Sequence, residues 1–138
     1  AIDLLQAMNT GHDGSMTTVH ANTPTDALTR IESMSLMAGM EIPLQVIREQ
    51  ISQSINLVLQ QSRLADGSRK ITSILEIDGF SNGELHHKEI FRFNFGNRNE
   101  NGSTGKLEFT GTKSTAGSKI RSRGVACDET YFEFNNHG

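Results

Sequence analysis

At 138 residues, 35% hydrophobic and 6% aromatic with no tryptophan, the chain has material for one modest domain or a piece of a larger one. Its net charge of −3 lacks the overall basic excess by which nucleic-acid binders are recognised. A single cysteine, Cys127, excludes a disulfide framework or a four-cysteine metal site, and no apolar run approaches the ~20 residues needed to span a bilayer.

Residues 2–9 read as the end of an amphipathic helix, with Leu4, Leu5 and Met8 on one face and Gly11 beyond it as a stop. A helix at the first residue, with no cap before it, is what a chain cut from something longer would have. Ser15 to His20, rich in Thr and Val, reads as a short buried strand. Thr23-Pro24-Thr25-Asp26 is a helix start: Thr23 can cap, Pro24 suits the first position, and Asp26 favours the positive end of the dipole. Leu28, Ile31, Met34 and Ala38 give this helix its stripe, and Gly39 ends it. A second helix follows from Pro43, with Leu44, Ile47, Ile51 and Ile55 as its apolar face.

Beyond Ile55 the period changes to two. Leu57 to Arg63 and Ile71 to Ile77, joined through Asp66-Gly67, predict an antiparallel hairpin, and residues 85–95 predict another strand. His86 and His87 are adjacent on that strand, so one of them is expected to face water. Residues 96–105 read as a polar loop. Charge is unevenly spread: residues 1–62 hold six acids against two arginines, whereas 98–123 hold six Lys or Arg against two Glu, a pattern expected of a solvated face. The five methionines read as core filler.

Chemistry-bearing residues concentrate in Thr10-Gly11-His12-Asp13-Gly14-Ser15-Met16-Thr17-Thr18-Val19-His20-Ala21-Asn22. Glycines let backbone approach a ligand closely, and the histidines, threonines and Asn22 can contact phosphate oxygens, water or a carboxylate. Three readings stay open on the residues alone. The histidines can be ordinary loop and core residues. They can bind zinc with Asp13, although their spacing matches neither a helical pair nor a familiar finger. Or the segment can sense a phosphate.

The longer string resembles the histidine box of the type II/IV secretion ATPase superfamily, and within it the tight-adherence (Flp) pilus assembly branch, of the CpaF kind. The resemblance runs from Asp3-Leu4-Leu5-Gln6-Ala7-Met8-Asn9-Thr10-Gly11-His12 through His20-Ala21-Asn22, then Ala27-Leu28-Thr29-Arg30-Ile31-Glu32-Ser33-Met34 and Met37-Ala38-Gly39. It continues with Pro43-Leu44 and Ile47-Arg48-Glu49-Gln50-Ile51 and closes at Gln60-Gln61-Ser62-Arg63-Leu64-Ala65-Asp66-Gly67-Ser68-Arg69, about half of the chain.

That resemblance implies an α/β fold: the C-terminal part of a RecA-like P-loop ATPase domain, then two helices and a small antiparallel β appendage. The divisions it suggests are 1–62 for the ATPase part with its helical segment, 63–95 for the hairpin and strand, and 96–138 for a polar loop and divergent tail. It implies a hexameric ATPase for pilus assembly or protein secretion, cytoplasmic and peripheral at the inner membrane. Platform proteins of that membrane would be its partners, with no direct nucleic acid. His20 and His12 would stand near the γ-phosphate of ATP, with Gly11, Gly14, Thr17, Thr18 and Asn22 as phosphate-sensing neighbours and no protein-bound metal besides the Mg²⁺ that accompanies ATP. Arg30 and Glu32 would make helix or inter-subunit ion pairs. A type II secretion or DNA-transfer ATPase of the same superfamily is the nearest alternative; a free-standing module binding metal or a partner through His12 and His20 is the alternative of another class. No G-x-x-x-x-G-K-[ST] string is present, since Gly105-Lys106 is followed by Leu107 and Glu100 holds the first glycine's place. The chain alone is therefore expected to be inactive and to bind ATP weakly, with the phosphate loop and the acidic motifs upstream of Ala1. The tail keeps a weaker likeness at 105–111 and a short helix at 120–125.

Overall fold

The computed structural model describes residues 14–38, 41–96, 98–99, 102–103 and 105–128. The expected helix at 2–9, its stop at Gly11, the stop at Gly39 and most of the segment from Asp128 to Phe134 lie outside them. Helix α1 is Pro24–Leu36 and α2 is Leu44–Ser54. The strands are β1 Leu57–Arg63, β2 Arg69–Ser81, β3 Glu84–Asn94, β4 Arg98–Asn99, β5 Gly102–Ser103 and β6 Lys106–Phe109, and helix α3 is Ala116–Ser122. Four strands form one antiparallel sheet in the order β1-β2-β3-β6.

Local chemistry sets the helix ends. Thr23 Oγ1 accepts the Asp26 N–H at 3.0 Å, Pro24 needs no donor in the first turn, and α1 starts there. The buried face of α1 is Ala27, Leu28, Ile31 and Ser35; Met34 and Ala38, expected in the stripe, are exposed. The three-and-four spacing runs from Leu28 through Ile31 to Ser35, which leaves Met34 at the stripe's edge. In α2 the buried residues Ile47 and Ile51 face the sheet, while Leu44 is exposed in the first turn. Gly67, with φ +84°, closes the β1–β2 turn beside Asp66, whose carboxylate accepts the Ser68 hydroxyl at 2.7 Å and its N–H at 2.9 Å. Those two bonds hold the Asp66 carboxyl below the usual range.

One aliphatic layer joins helices to sheet: Leu28 and Ile31 of α1, Ile47, Ile51 and Ile55 of α2 and its end, and Leu75 and Ile77 of β2. Val58, opposite Leu75, packs on the same layer. The sheet is therefore the floor of the helical segment, and their shared core runs across residue 62. On the opposite face, register aligns Leu59, Ile74, Phe91 and Phe109 across all four strands, with the two rings 5.8 Å apart.

Further expectations differ from the structure. Of the methionines read as core filler, Met16, Met34 and Met37 are exposed. Residues 15–20 form no strand and, apart from Val19, are exposed. Threonine and valine favour a pleated surface, but a strand also needs a backbone ladder, and among the described residues no strand pairs with this segment. The polar stretch at 96–105 carries a two-residue ladder, Arg98 with Ser103 and Asn99 with Gly102, which asks only for backbone groups. Lys106–Phe109 is the fourth strand of the main sheet, too short for its alternation to stand out, and the short helix begins at Ala116 rather than Ile120. His86 and His87 are both exposed, because a register shift between Ile77 and Gly79 interrupts the alternation there.

The buried carboxylate of Glu76, 2% exposed, lies on the face opposite the helices. It accepts the Thr115 N–H at 3.0 Å and the Thr115 hydroxyl at 2.7 Å, which fixes the segment leading into α3 against β2. Removing a donor from a buried carboxylate leaves a desolvated charge short of a partner. Thr115→Val is therefore expected to cost about 1–3 kcal/mol, against about 2–5 kcal/mol for Ile51→Ala in the aliphatic layer, both read from urea midpoints.

Glu89 offers a pH test. Burial raises its pKa, but the Ser73 hydroxyl at 2.6 Å and Arg92 Nε at 2.7 Å outweigh that, and the net shift is downward. A depressed carboxyl contributes stability above its unfolded pKa and loses it as pH falls through the folded one. Denaturant midpoints of the wild type should fall below the ordinary glutamate range, and Ser73→Ala should flatten that fall.

Candidate functional site

Val19 is half-buried against the aliphatic layer, while Thr17, Thr18, His20 and Asn22 are exposed around it. A second tie follows at once: Gln60 Nε2 of β1 donates to the Ala21 carbonyl at 3.2 Å. Two residues later Thr23 caps α1. The stretch from Val19 to Thr23 is thus fixed by an apolar side chain, a side-chain amide and a helix cap. Thr18 and His20 flank the inward Val19 and present their side chains to the outside. That is what a contact surface needs: a rooted backbone with polar groups turned away from the core.

Gly14 has φ +87° with open space where a side chain would be. A backbone of that hand leaves room for close approach and disfavours an L side chain. Gly11, His12 and Asp13 lie outside the described residues, so the relation between His12 and His20 does too. Among the described residues, no three His, Cys, Asp or Glu side chains converge as a metal site would require. An open depression lined by Phe93, Phe95, Glu108 and Phe109 belongs to β3 and β6 and includes no residue of 14–22.

Arg30 is exposed on α1. Glu32, by contrast, is 14% exposed and engaged inside the chain: Arg48 Nε donates to its Oε1 at 3.0 Å. Arg48 reaches onward to the Gly83 carbonyl at 2.9 Å and stands 3.8 Å from Glu84.

Gln60, which ties the segment to β1, and Arg48, which ties α1 to α2, each have a signal in the sequence. Gln60 shares the inward side of β1 with Val58, and a polar residue at an inward strand position asks for a partner. Arg48 falls one residue after Ile47 on the apolar side of α2, where a guanidinium must find acceptors. Neither partner, Ala21 or Gly83, can be read from spacing.

The family model described as type II/IV secretion system protein matches residues 1–126. The conjugal transfer protein TrbB of Rhizobium radiobacter is 35% identical over 93 residues, 65% of this chain and 27% of that protein. A probable conjugal transfer protein TrbB of Sinorhizobium fredii (strain NBRC 101917 / NGR234) is 36% identical over 83 residues, 60% of this chain and 24% of that protein. A putative conjugal transfer protein of Mycobacterium tuberculosis, Rv3659c, is 33% identical over 73 residues, 53% of this chain and 20% of that protein. The chain spans about a quarter of the length of these relatives. No helix among the described residues is long and apolar enough to cross a membrane.

The cap at Thr23 is the joint between this segment and α1. Thr23→Ala should lower stability by about 1 kcal/mol and Thr23→Asn by much less, as thermal melting would record. Gln60→Ala should speed amide exchange at Ser15–Asn22 while leaving the sheet's protection near wild type, measured by hydrogen exchange with mass spectrometry.

Proposed function

The chain belongs to the type II/IV secretion system protein family, and from that membership we propose that it is the C-terminal part of a hexameric, RecA-like ATPase that drives transport or pilus assembly. In this reading His20 faces the γ-phosphate of ATP bound with Mg²⁺ in a site completed by the rest of the parent protein. His12, Gly11, Gly14, Thr17, Thr18 and Asn22 are its phosphate-sensing neighbours. The observation that carries it is the pairing of a family match over residues 1–126 with a segment whose backbone is tied down at Val19 and Ala21 while Thr18 and His20 are exposed.

The physical logic is differential contact. Polar donors aimed at one phosphate favour the ATP state over the ADP state, and a conformational equilibrium shifts only by that difference. Because Thr23, three residues after His20, caps α1, any displacement of the segment is handed to a helix that packs on the sheet. In-line attack on the γ-phosphate would draw on a phosphate loop, Mg²⁺ and a water-positioning acid supplied by the rest of the proposed parent. Residues of this chain sense the phosphate and pass the change on.

The cargo has two readings. The resemblance to tight-adherence ATPases favours pilus assembly at the cytoplasmic face of the inner membrane, with membrane platform proteins as partners. The named relatives are conjugal transfer proteins, which favours DNA transfer equally well. Deleting the gene separates them: loss of surface pili supports the first, and loss of plasmid transfer supports the second.

In the full-length protein, His20→Ala should lower ATP turnover by about 10²–10³-fold while nucleotide Kd changes less than about threefold, the split expected for a contact made mainly in the transition state. Equal loss of binding and turnover, with a lowered melting temperature, would mean that His20 holds the fold instead.

A further inference from the structure

We propose that Arg48 is a positioning residue that makes the histidine segment, α1, α2 and the β2–β3 turn move as one body; the functional part of this inference rests on the phosphate-sensing reading of His20. Three contacts converge on one guanidinium. Nε donates to Glu32 on α1, one amino group donates to the Gly83 carbonyl, and Glu84 stands at 3.8 Å. Arg48 is 25% exposed and Glu32 14%, so both hydrogen bonds are largely shielded from water.

The placement is specific. Helix α1 is capped by Thr23, the residue at which the segment ends. Its only ion pair among the described residues is this one, formed nine residues into the helix. At the other end, the β2–β3 turn has Asn82 at φ +53° and Gly83 at φ +78°, the backbone of a tight two-residue hairpin. A Cβ at Gly83 would stand 3.2 Å from the Gln45 side chain, so the turn is seated close against the start of α2. The aliphatic layer alone is non-directional and tolerates sliding. A planar guanidinium bridging a carboxylate and a backbone carbonyl is directional, and it fixes the register of α1 on α2 and of α2 on the turn.

The outer side of the turn is open to solvent: Ser81, Asn82, Glu84 and His86 are exposed, with Ser81 Oγ 2.6 Å from His86 Nε2. A displacement at His20 is delivered through Glu32 and Arg48 to this tip, and a load on the tip is felt at His20.

The test uses the full-length protein with Arg48→Met, Glu32→Gln, their double variant and the exchange Glu32→Arg with Arg48→Glu. Hydrogen exchange reads the mechanical claim without ATP. Arg48→Met should raise exchange at both Val19–Ile31 and Ser81–Leu85 by about tenfold, with the interior of β2 unchanged. ATP turnover reads the functional claim: Arg48→Met should lower kcat by about tenfold with nucleotide Kd within about twofold, and the double variant should be no worse than Arg48→Met alone. The exchange variant, with opposite charges still facing each other, should recover part of both readouts. Exchange rising at one location only, or effects of the two single variants that simply add, would overturn the proposal. If His20→Ala leaves turnover intact, the phosphate reading fails while the exchange experiment still decides the mechanical coupling. If His20→Ala abolishes turnover and Arg48→Met does not, the coupling fails alone.

Discussion

Burial of one aliphatic layer between two short helices and one strand is the constraint from which the rest of this structure follows. Leu28, Ile31, Ile47, Ile51, Ile55, Leu75 and Ile77 come from three elements, none of which could shield its apolar face alone. Each fully buried Leu or Ile contributes on the order of 1.5–3 kcal/mol relative to exposure, so the layer outweighs any single polar contact described above. Polar groups add direction to it. Arg48 orients the helices on each other and on the β2–β3 turn, Gln60 ties down Ala21, and the buried Glu76 carboxylate holds Thr115. Burying Glu76 would be costly without those donors.

The proposed site lies at the rim of that layer. Val19 is an apolar side chain docked on it, and its neighbours Thr18 and His20 are exposed as a consequence. A contact made at His20 therefore acts on a backbone fixed at both sides, rather than on a loop that could absorb the force. A rooted, outward-facing polar segment leading into a capped helix is an arrangement suited to turning a ligand contact into a rotation of that helix. The phosphate reading rests on the family as well as on this geometry, and it assigns the groups that bind and cleave ATP to the rest of the proposed parent.

What was legible in the sequence was local. Thr23 to Asp26 marked a helix start because capping acts over three residues, and the hairpin was legible because period two and Asp66-Gly67 sit next to each other. Reading Ser15 to His20 as a strand failed because β-propensity describes a side chain's fit to a pleated surface and says nothing of a pairing partner. Glu76 falls between Leu75 and Ile77 on an alternating strand, where spacing alone points it outward; its cover, Thr115, comes from 39 residues away. Gln60 with Ala21 and Arg48 with Gly83 are likewise separated by 39 and 35 residues. The candidate segment could be found as a string, but what holds it in place could not.

In the proposed function, everything turns on His20 meeting the terminal phosphate of a nucleotide. Cryo-electron microscopy of the full-length protein, assembled with a non-hydrolysable ATP analogue and Mg²⁺, tests it most directly. A His20 ring nitrogen should then stand within hydrogen-bond reach of a γ-phosphate oxygen, about 3 Å, directly or through one ordered water. A His20 ring turned to bulk solvent, with the γ-phosphate held entirely by other residues and the segment from Gly14 to Asn22 remote from the nucleotide, would contradict it.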